Sequence, residues 1–236
     1  KIDKQLAASF YEIDKEWSKT YSKPVSTWDP NFYATRQKAI DMYNSVLKIV
    51  LASDINRTEN YLYLKKILEN RLSMAKAVNA SPDMFHRDSI MKDNIDWLVN
   101  NVLEKNEKII ILSHNAHVAR EKSFDIGYLG YLMYKEYEDK IFIIGQYFES
   151  GEFVNNRREL SKMPQPAKNS FESYLGQFKT GYQVFDLHNK NIPQKIFNTK
   201  IKTYYMGGAI IQNFNLSKNY DMIFTVKHGS PPTFID

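Results

Sequence analysis

The run Ile109-Ile110-Ile111-Leu112 constrains this chain more than any other stretch, set as it is between Lys108 and the polar cluster Ser113-His114-Asn115. Four consecutive apolar residues leave neither alternate position for solvent, so the run predicts a short strand buried on both faces. A second such run, Ile141 to Ile144, follows a Tyr- and Leu-rich helical pattern from Gly127 to Tyr137. Strand, helix and strand in that order predict a βαβ unit with parallel strands and a right-handed crossover. His114, Asn115 and His117 then leave the first strand at its carboxyl end, where open α/β sheets keep their sites.

The residues before this unit are helical in pattern. Leu6, Phe10, Ile13, Trp17 and Tyr21 recur at spacings of three and four, one stripe of an amphipathic helix that ends before Pro24. Trp28-Asp29-Pro30 is a turn, and two more patterns follow, from about Asn31 to Ala52 and from about Asn56 to Ala75. Ser81-Pro82-Asp83 is a strong helix start, with a cap, a first-turn proline and an acid at the positive end of the dipole. The helix it predicts runs to about Glu104 and places Arg87, Met91 and Asn94 on one face. An arginine and an asparagine there require partners or a cleft, because burying them unpaired is expensive.

After the βαβ unit, Glu149 to Glu152 reads as a turn leading to an extended piece at Phe153-Val154. Asn155 to Lys168, charged and carrying two prolines, reads as a surface loop. Ser170 to Phe178 predicts a short helix, Tyr182 to Leu187 a strand, Gly207-Gly208 a tight backbone position, and Met222 to Val226 a last strand. The expected architecture is α/β, a central, mostly parallel sheet flanked by helices. Residues 1–80 form a helical segment packed on the core formed by 81–236.

Composition narrows the chemistry. With 236 residues, 43% of them hydrophobic, the chain can bury one substantial core. It contains no cysteine, which removes disulfides, thiolate metal sites and cysteine nucleophiles. The formal charge of +5 does not mark a nucleic-acid partner, because Lys and Arg interleave with Asp and Glu along helical faces. No apolar run approaches the roughly 20 residues of a membrane span, and no secretory core segment is present. Lys1 in place of an initiating Met implies removal of something upstream; compartment and oligomeric state stay open.

His114 and His117 are the candidate chemical groups. By residue type alone a His-x-x-His pair after a strand serves as caps, as catalytic groups or as metal ligands. A metal would want a third ligand, and Glu121 and Asp125 nearby are ordinary surface acids, so no metal and no cofactor is expected. A serine nucleophile would want a Gly-x-Ser-x-Gly elbow, and Ser113 has no flanking glycines. His188 and His228 each follow a strand without a motif and read as structural or surface groups.

Several segments resemble the erythromycin esterase family, which includes proteins described as succinoglycan biosynthesis proteins. They are HRDSIMKDNIDWL with Arg87, Asn94 and Trp97, SHNAHVAR after an apolar run, IIGQYFESGEF, and the closing YDMIFTVKHGSPP. The resemblance implies an α/β fold and a metal-independent hydrolase that opens macrolide lactones in its best-known members, with His114 and His117 in the catalytic cleft. It also implies another active-site histidine and glutamates from an N-terminal half, whereas the first histidine here is His86, inside the later motif.

The function expected is histidine-assisted attack of water on an ester or macrolide lactone, with a small-molecule ester or lactone as partner. His114 and His117 would move protons, while Asn115, Arg87 and Asn94 would support substrate or oxyanion. The alternative is a non-catalytic domain that keeps the fold and binds a glycan or small molecule.

Overall fold

The computed structural model describes residues 3–21, 28–53, 59–77, 84–123, 125–154, 159–205 and 210–231. Contacts divide the chain into two compact units, Lys1–Val102 and Leu103–Asp236.

The first unit is helical. α1 (Lys4–Tyr21), α2 (Pro30–Ala52), α3 (Glu59–Ala77) and α4 (Met84–Asn101) follow one another. α2 begins where Asp29 accepts a hydrogen bond from the Phe32 amide at 2.9 Å, with Pro30 in the first turn. That pairing satisfies one of the free amides at a helix start, and the proline costs nothing there. Trp17, Phe32, Ala39, Tyr43, Leu72 and Ala75 form the core, and Trp28 stacks on Phe32 with ring centroids 4.1 Å apart. Arg36 is buried because its guanidinium answers free carbonyls at the end of α3, Ala75 O at 2.6 Å and Lys76 O at 3.2 Å. The expected Ser81 cap and the Gly207-Gly208 turn lie outside the described residues.

The second unit is built on a four-stranded sheet in the order β2-β1-β6-β3. Its strands are β1 (Ile144–Val154), β2 (Leu160–Lys162), β3 (Tyr182–Asp186) and β6 (Met222–Gly229). Between β3 and β6 a separate antiparallel hairpin forms from β4 (Lys200–Tyr205) and β5 (Ile210–Asn215). The short helices are α5 (Asn115–Val118), α6 (Leu129–Tyr137), α7 (Phe171–Leu175), α8 (Gln194–Phe197) and α9 (Leu216–Asn219). The α/β class is as the sequence predicts, but the sheet is not mostly parallel. Only β1 and β6 pair in parallel, while β1 with β2 and β3 with β6 are antiparallel. Antiparallel β2 arises inside the stretch expected to be a surface loop, and β1 runs unbroken through the expected turn at Glu149–Glu152. Gly151 permits that continuity. Its φ is +121°, and a Cβ there would stand 2.1 Å from Gly229 O on β6.

The largest departure concerns Ile109–Leu112, which takes part in no strand ladder among the described residues. Its apolar side chains are exposed rather than buried, Ile110 at 86% and Leu112 at 83%. The predicted βαβ unit therefore lacks its first strand, and of the second run, Ile141 to Ile144, only Ile144 lies in a strand, the first residue of β1. A physical reason is visible on β1, where the backbone of Gln146 is hydrogen-bonded to the Asn115 side chain. A side-chain amide occupies the position that a neighbouring strand would take.

Alternation along the sheet decides what is buried. Tyr147, Phe185, Ile223 and Thr225 turn to one face and meet Phe171, Phe197, Phe214 and Tyr220 in the core. Ile144, Val184 and Phe224 turn to the other face and are exposed.

Candidate functional site

The His-Asn-x-His stretch folds as one turn of helix, α5, with His114 as its N-cap in extended conformation (φ −64°, ψ 147°). The cap is the imidazole itself, since Nδ1 accepts from the Ala116 amide at 3.2 Å. The His114 carbonyl accepts from the His117 amide at 2.8 Å and closes the turn. Nδ1 is thereby engaged as an acceptor, so the neutral ring carries its proton on Nε2. His114 is exposed, yet neighbouring protein atoms crowd it enough to remove part of its hydration. That desolvation, with a smaller contribution from His117, holds the His114 imidazole below its usual range, favouring the neutral form.

Close packing, the Asn115 side chain and an ion pair anchor this turn. Ala116 and Ala119 are buried in the sheet's core and leave His117 half-buried, edge-on to the ring of Tyr128 at 5.6 Å. Asn115 bonds the β1 backbone at two points: its Nδ2 donates to Gln146 O at 2.5 Å and its Oδ1 accepts from Gln146 N at 2.9 Å. Gly130 of α6 lets the Val118 and Ala119 carbonyls come so near that an added Cβ would sit 2.0 Å from Val118 O.

The third anchor is electrostatic. Arg120 Nη2 donates to Asp221 Oδ2 in a short ion pair, both side chains nearly buried, and the guanidinium lies over the Tyr134 ring at 5.1 Å. Asp221 Oδ2 also accepts from the Ile143 amide at 2.7 Å, and its Oδ1 meets His188 Nε2 at 3.0 Å. Burial pushes the Asp221 carboxyl up, but the hydrogen bonds and charge of Arg120, with the Ile143 amide and His188, outweigh it and leave the carboxyl below the ordinary range. Next to it the Glu121 amide donates to Asn219 Oδ1 at 2.8 Å, and Asn219 Nδ2 returns a bond to Glu121 Oε2 at 3.0 Å.

Of the residues singled out in the sequence, His114, Asn115 and His117 share this single turn. Arg87 and Asn94 belong to α4 in the first unit, where Arg87 is exposed and Asn94 Nδ2 donates to Asn70 Oδ1 of α3 at 3.2 Å. Arg120, Asn219 and Asp221 carry the geometry of the loop; Arg120 and Asp221 lie inside the SHNAHVAR and YDMIFTVKHGSPP segments, but none of the three was singled out for a role. The one available signal was an Asn-Tyr-Asp sequence immediately before an apolar strand. Another pairing absent from the sequence reading joins Ser150 Oγ to His228 Nδ1 at 3.3 Å across β1 and β6. There the hydroxyl donates to Lys227 O at 3.1 Å, so its proton does not face the imidazole. Among the described residues no group of three or more His, Asp or Glu is arranged to hold a metal ion, and no helix is long and apolar enough to cross a membrane.

A parallel β1–β6 pair and a histidine-capped turn at the sheet edge define an α/β domain whose titratable groups sit on a rigid turn. The chain belongs to the erythromycin esterase family, whose model matches residues 3–229. Two solved structures resemble it in fold, each at 17% identity and a TM-score of 0.68. One is a succinoglycan biosynthesis protein, matched over 96% of this chain and 58% of its own; the other is a Bacillus cereus protein, matched over 97% and 64%. The chain thus spans about three-fifths of the length of either structure. No curated protein sequence matches it.

Proposed function

We propose that this chain carries the histidine-bearing part of an erythromycin-esterase-type hydrolase, acting on a carboxylic ester or a macrolide lactone. The observation that carries the reading is His114 Nδ1, committed as acceptor to the Ala116 amide in an exposed ring held below its usual range. A neutral imidazole in that state offers Nε2–H as a hydrogen-bond donor that is in place before reaction. Such a donor stabilises charge developing on a carbonyl oxygen without reorganisation.

His117 is the proton carrier in this scheme. Its imidazole takes a proton from water, the water oxygen attacks the acyl carbon, and the carbonyl oxygen becomes an oxyanion bonded to His114 Nε2–H. Collapse of the tetrahedral intermediate breaks the acyl–oxygen bond, and the leaving alkoxide receives the proton from His117. The products are a carboxylic acid and an alcohol, or the opened hydroxy acid from a lactone. With one Nδ2 hydrogen on Gln146 O, Asn115 retains a second for substrate.

The test is hydrolysis of a panel of esters and macrolide lactones by the protein and by His114→Ala, with folding followed by circular dichroism. Loss of most turnover in a folded His114→Ala protein is expected, and unchanged turnover would overturn the assignment. If the folded wild-type protein binds such ligands and turns none over, it is the binding domain instead. That reading draws on the chain's spanning three-fifths of the structures it matches.

A further inference from the structure

A cleft of about 390 Å³ in the first unit is lined from two helices at once. Glu16 and Thr20 lie four residues apart on α1, while Asn31, Thr35 and Lys38 fall at i, i+4 and i+7 on α2, so each set forms one stripe along its helix. Among the described residues the side chains of these five make no hydrogen bond or ion pair. Thr35 is the telling member, because it is only 7% exposed. A threonine buried inside a helix can return its hydroxyl to the carbonyl four residues back, and Thr35 makes no such bond. Burying a hydroxyl without a partner is costly, so its partner has to come from the cleft. Trp28 supplies an apolar wall, held rigid by stacking on Phe32 with ring centroids 4.1 Å apart and planes 9° apart.

We infer that this cleft binds a hexopyranose ring, carried by a free sugar or by a glycan. A pyranose presents C–H groups on its faces and hydroxyls around its edge, each hydroxyl both donor and acceptor. Its C–H face matches the Trp28–Phe32 wall, since a stacked indole offers a large apolar surface in fixed orientation. Its hydroxyls match a lining that combines an acceptor in Glu16, a donor in Lys38, and groups of both kinds in Thr20, Asn31 and Thr35. The volume falls within the roughly 300–1,000 Å³ of small-ligand clefts. Charge argues against other occupants. Lys38 is set against Glu16 and Asp29, so an anion gains little, and the α2 start that would attract one is already capped by Asp29 on the Phe32 amide. A simple cation meets Lys38, and a wholly apolar ligand strips water from five polar side chains without replacing it.

The cleft contains no residue of the hydrolytic scheme, and its test does not use turnover. The protein, with its tryptophan indoles labelled with nitrogen-15, is titrated by NMR with glucose, galactose, N-acetylglucosamine and a β-linked glucotetraose, and with lysine and inorganic phosphate as charged probes. A saturable shift of the Trp28 indole signal is expected with at least one saccharide, at a dissociation constant on the order of millimolar for a single ring. Tighter binding of the tetraose than of glucose would assign the site to a glycan, and equal binding to a single sugar. Thr35→Val keeps the branched shape and removes the hydroxyl, so it is expected to weaken the binding about fivefold to tenfold while the signal of Trp17, in the core, stays in place. Glu16→Ala, at an exposed helical position, is expected to act in the same direction. No shift with any saccharide overturns the inference. A response confined to lysine or phosphate does so too, by assigning the cleft to a charged ligand, as does a saccharide affinity that both folded variants leave unchanged.

Discussion

The side chain of Asn115 stands in for a strand against Gln146, donating to its carbonyl at 2.5 Å and accepting from its amide at 2.9 Å. An asparagine amide reproduces the donor and acceptor of a peptide group, so the pairing closes the edge of β1 at one residue. Asn115→Ala is expected to destabilise the chain by about 1–3 kcal/mol, since it leaves two backbone groups of Gln146 without these partners. The denaturation midpoint reads the loss, and faster exchange of the Gln146 amide locates it. An unchanged exchange rate would show that the pairing does not form in solution.

Asp221 ties the turn to the sheet from the other end. Removing its carboxylate in Asp221→Ala leaves the Arg120 charge nearly buried without its partner, and such losses cost about 3–5 kcal/mol. Lower thermal stability is therefore expected, together with reduced ester turnover if the His114 turn is the catalytic element. His188→Ala removes only the exposed contact to Oδ1 and is expected to cost under about 1 kcal/mol. Comparable losses in the two variants would contradict the ranking.

Gly130 separates packing from charge. Gly130→Ala forces a methyl against Val118 O, and overpacking of this kind costs about 1–3 kcal/mol. The displaced element would be α5 or α6, so a changed environment for His117 is expected in the imidazole NMR signals. Signals identical to those of the unaltered protein would mean that the backbone yields elsewhere.

Stability should fall in two steps as the solution is acidified. The His114 imidazole is held below 6.5, so below about that pH the unfolded chain binds a proton that the folded chain refuses, and stability declines. The Asp221 carboxyl is held below 3.8; its contribution is complete above that value and is lost as pH falls through the lower folded value. His114→Gln is expected to remove the first decline and leave the second. Denaturant midpoints measured from pH 8 to pH 3 would show this, and an unchanged slope between pH 6.5 and 5 would refute it.

Legibility in the sequence followed the range of the interaction. The stripe Leu6, Phe10, Ile13 and Trp17 specifies α1 because helical neighbours lie three and four residues apart, and Asp29-Pro30 marks the start of α2 for an equally local reason. The strands at Met222 and Tyr182 were legible from apolar runs. Their antiparallel register was not, because pairing Val184 with Phe224 is a contact between distant parts of the chain. The β4–β5 hairpin escaped notice because Lys200–Tyr205 alternates polar and apolar residues only loosely.

At the candidate site the histidines were visible as a motif, whereas their supports were not. Arg120 and Asp221 are 101 residues apart, and nothing in either neighbourhood names the other. By itself the sequence determined the long N-terminal helices, the strands β3 and β6, and that His114, Asn115 and His117 leave one apolar run together, since periodicity and spacing encode these within a few residues. Only the tertiary structure decided that His114 Nδ1 caps α5, that Asn115 serves β1, and that Ile109–Leu112 stands outside every ladder among the described residues. Those outcomes depend on which backbone groups have neighbours once the chain is folded, and a one-dimensional pattern of apolar residues does not contain that information.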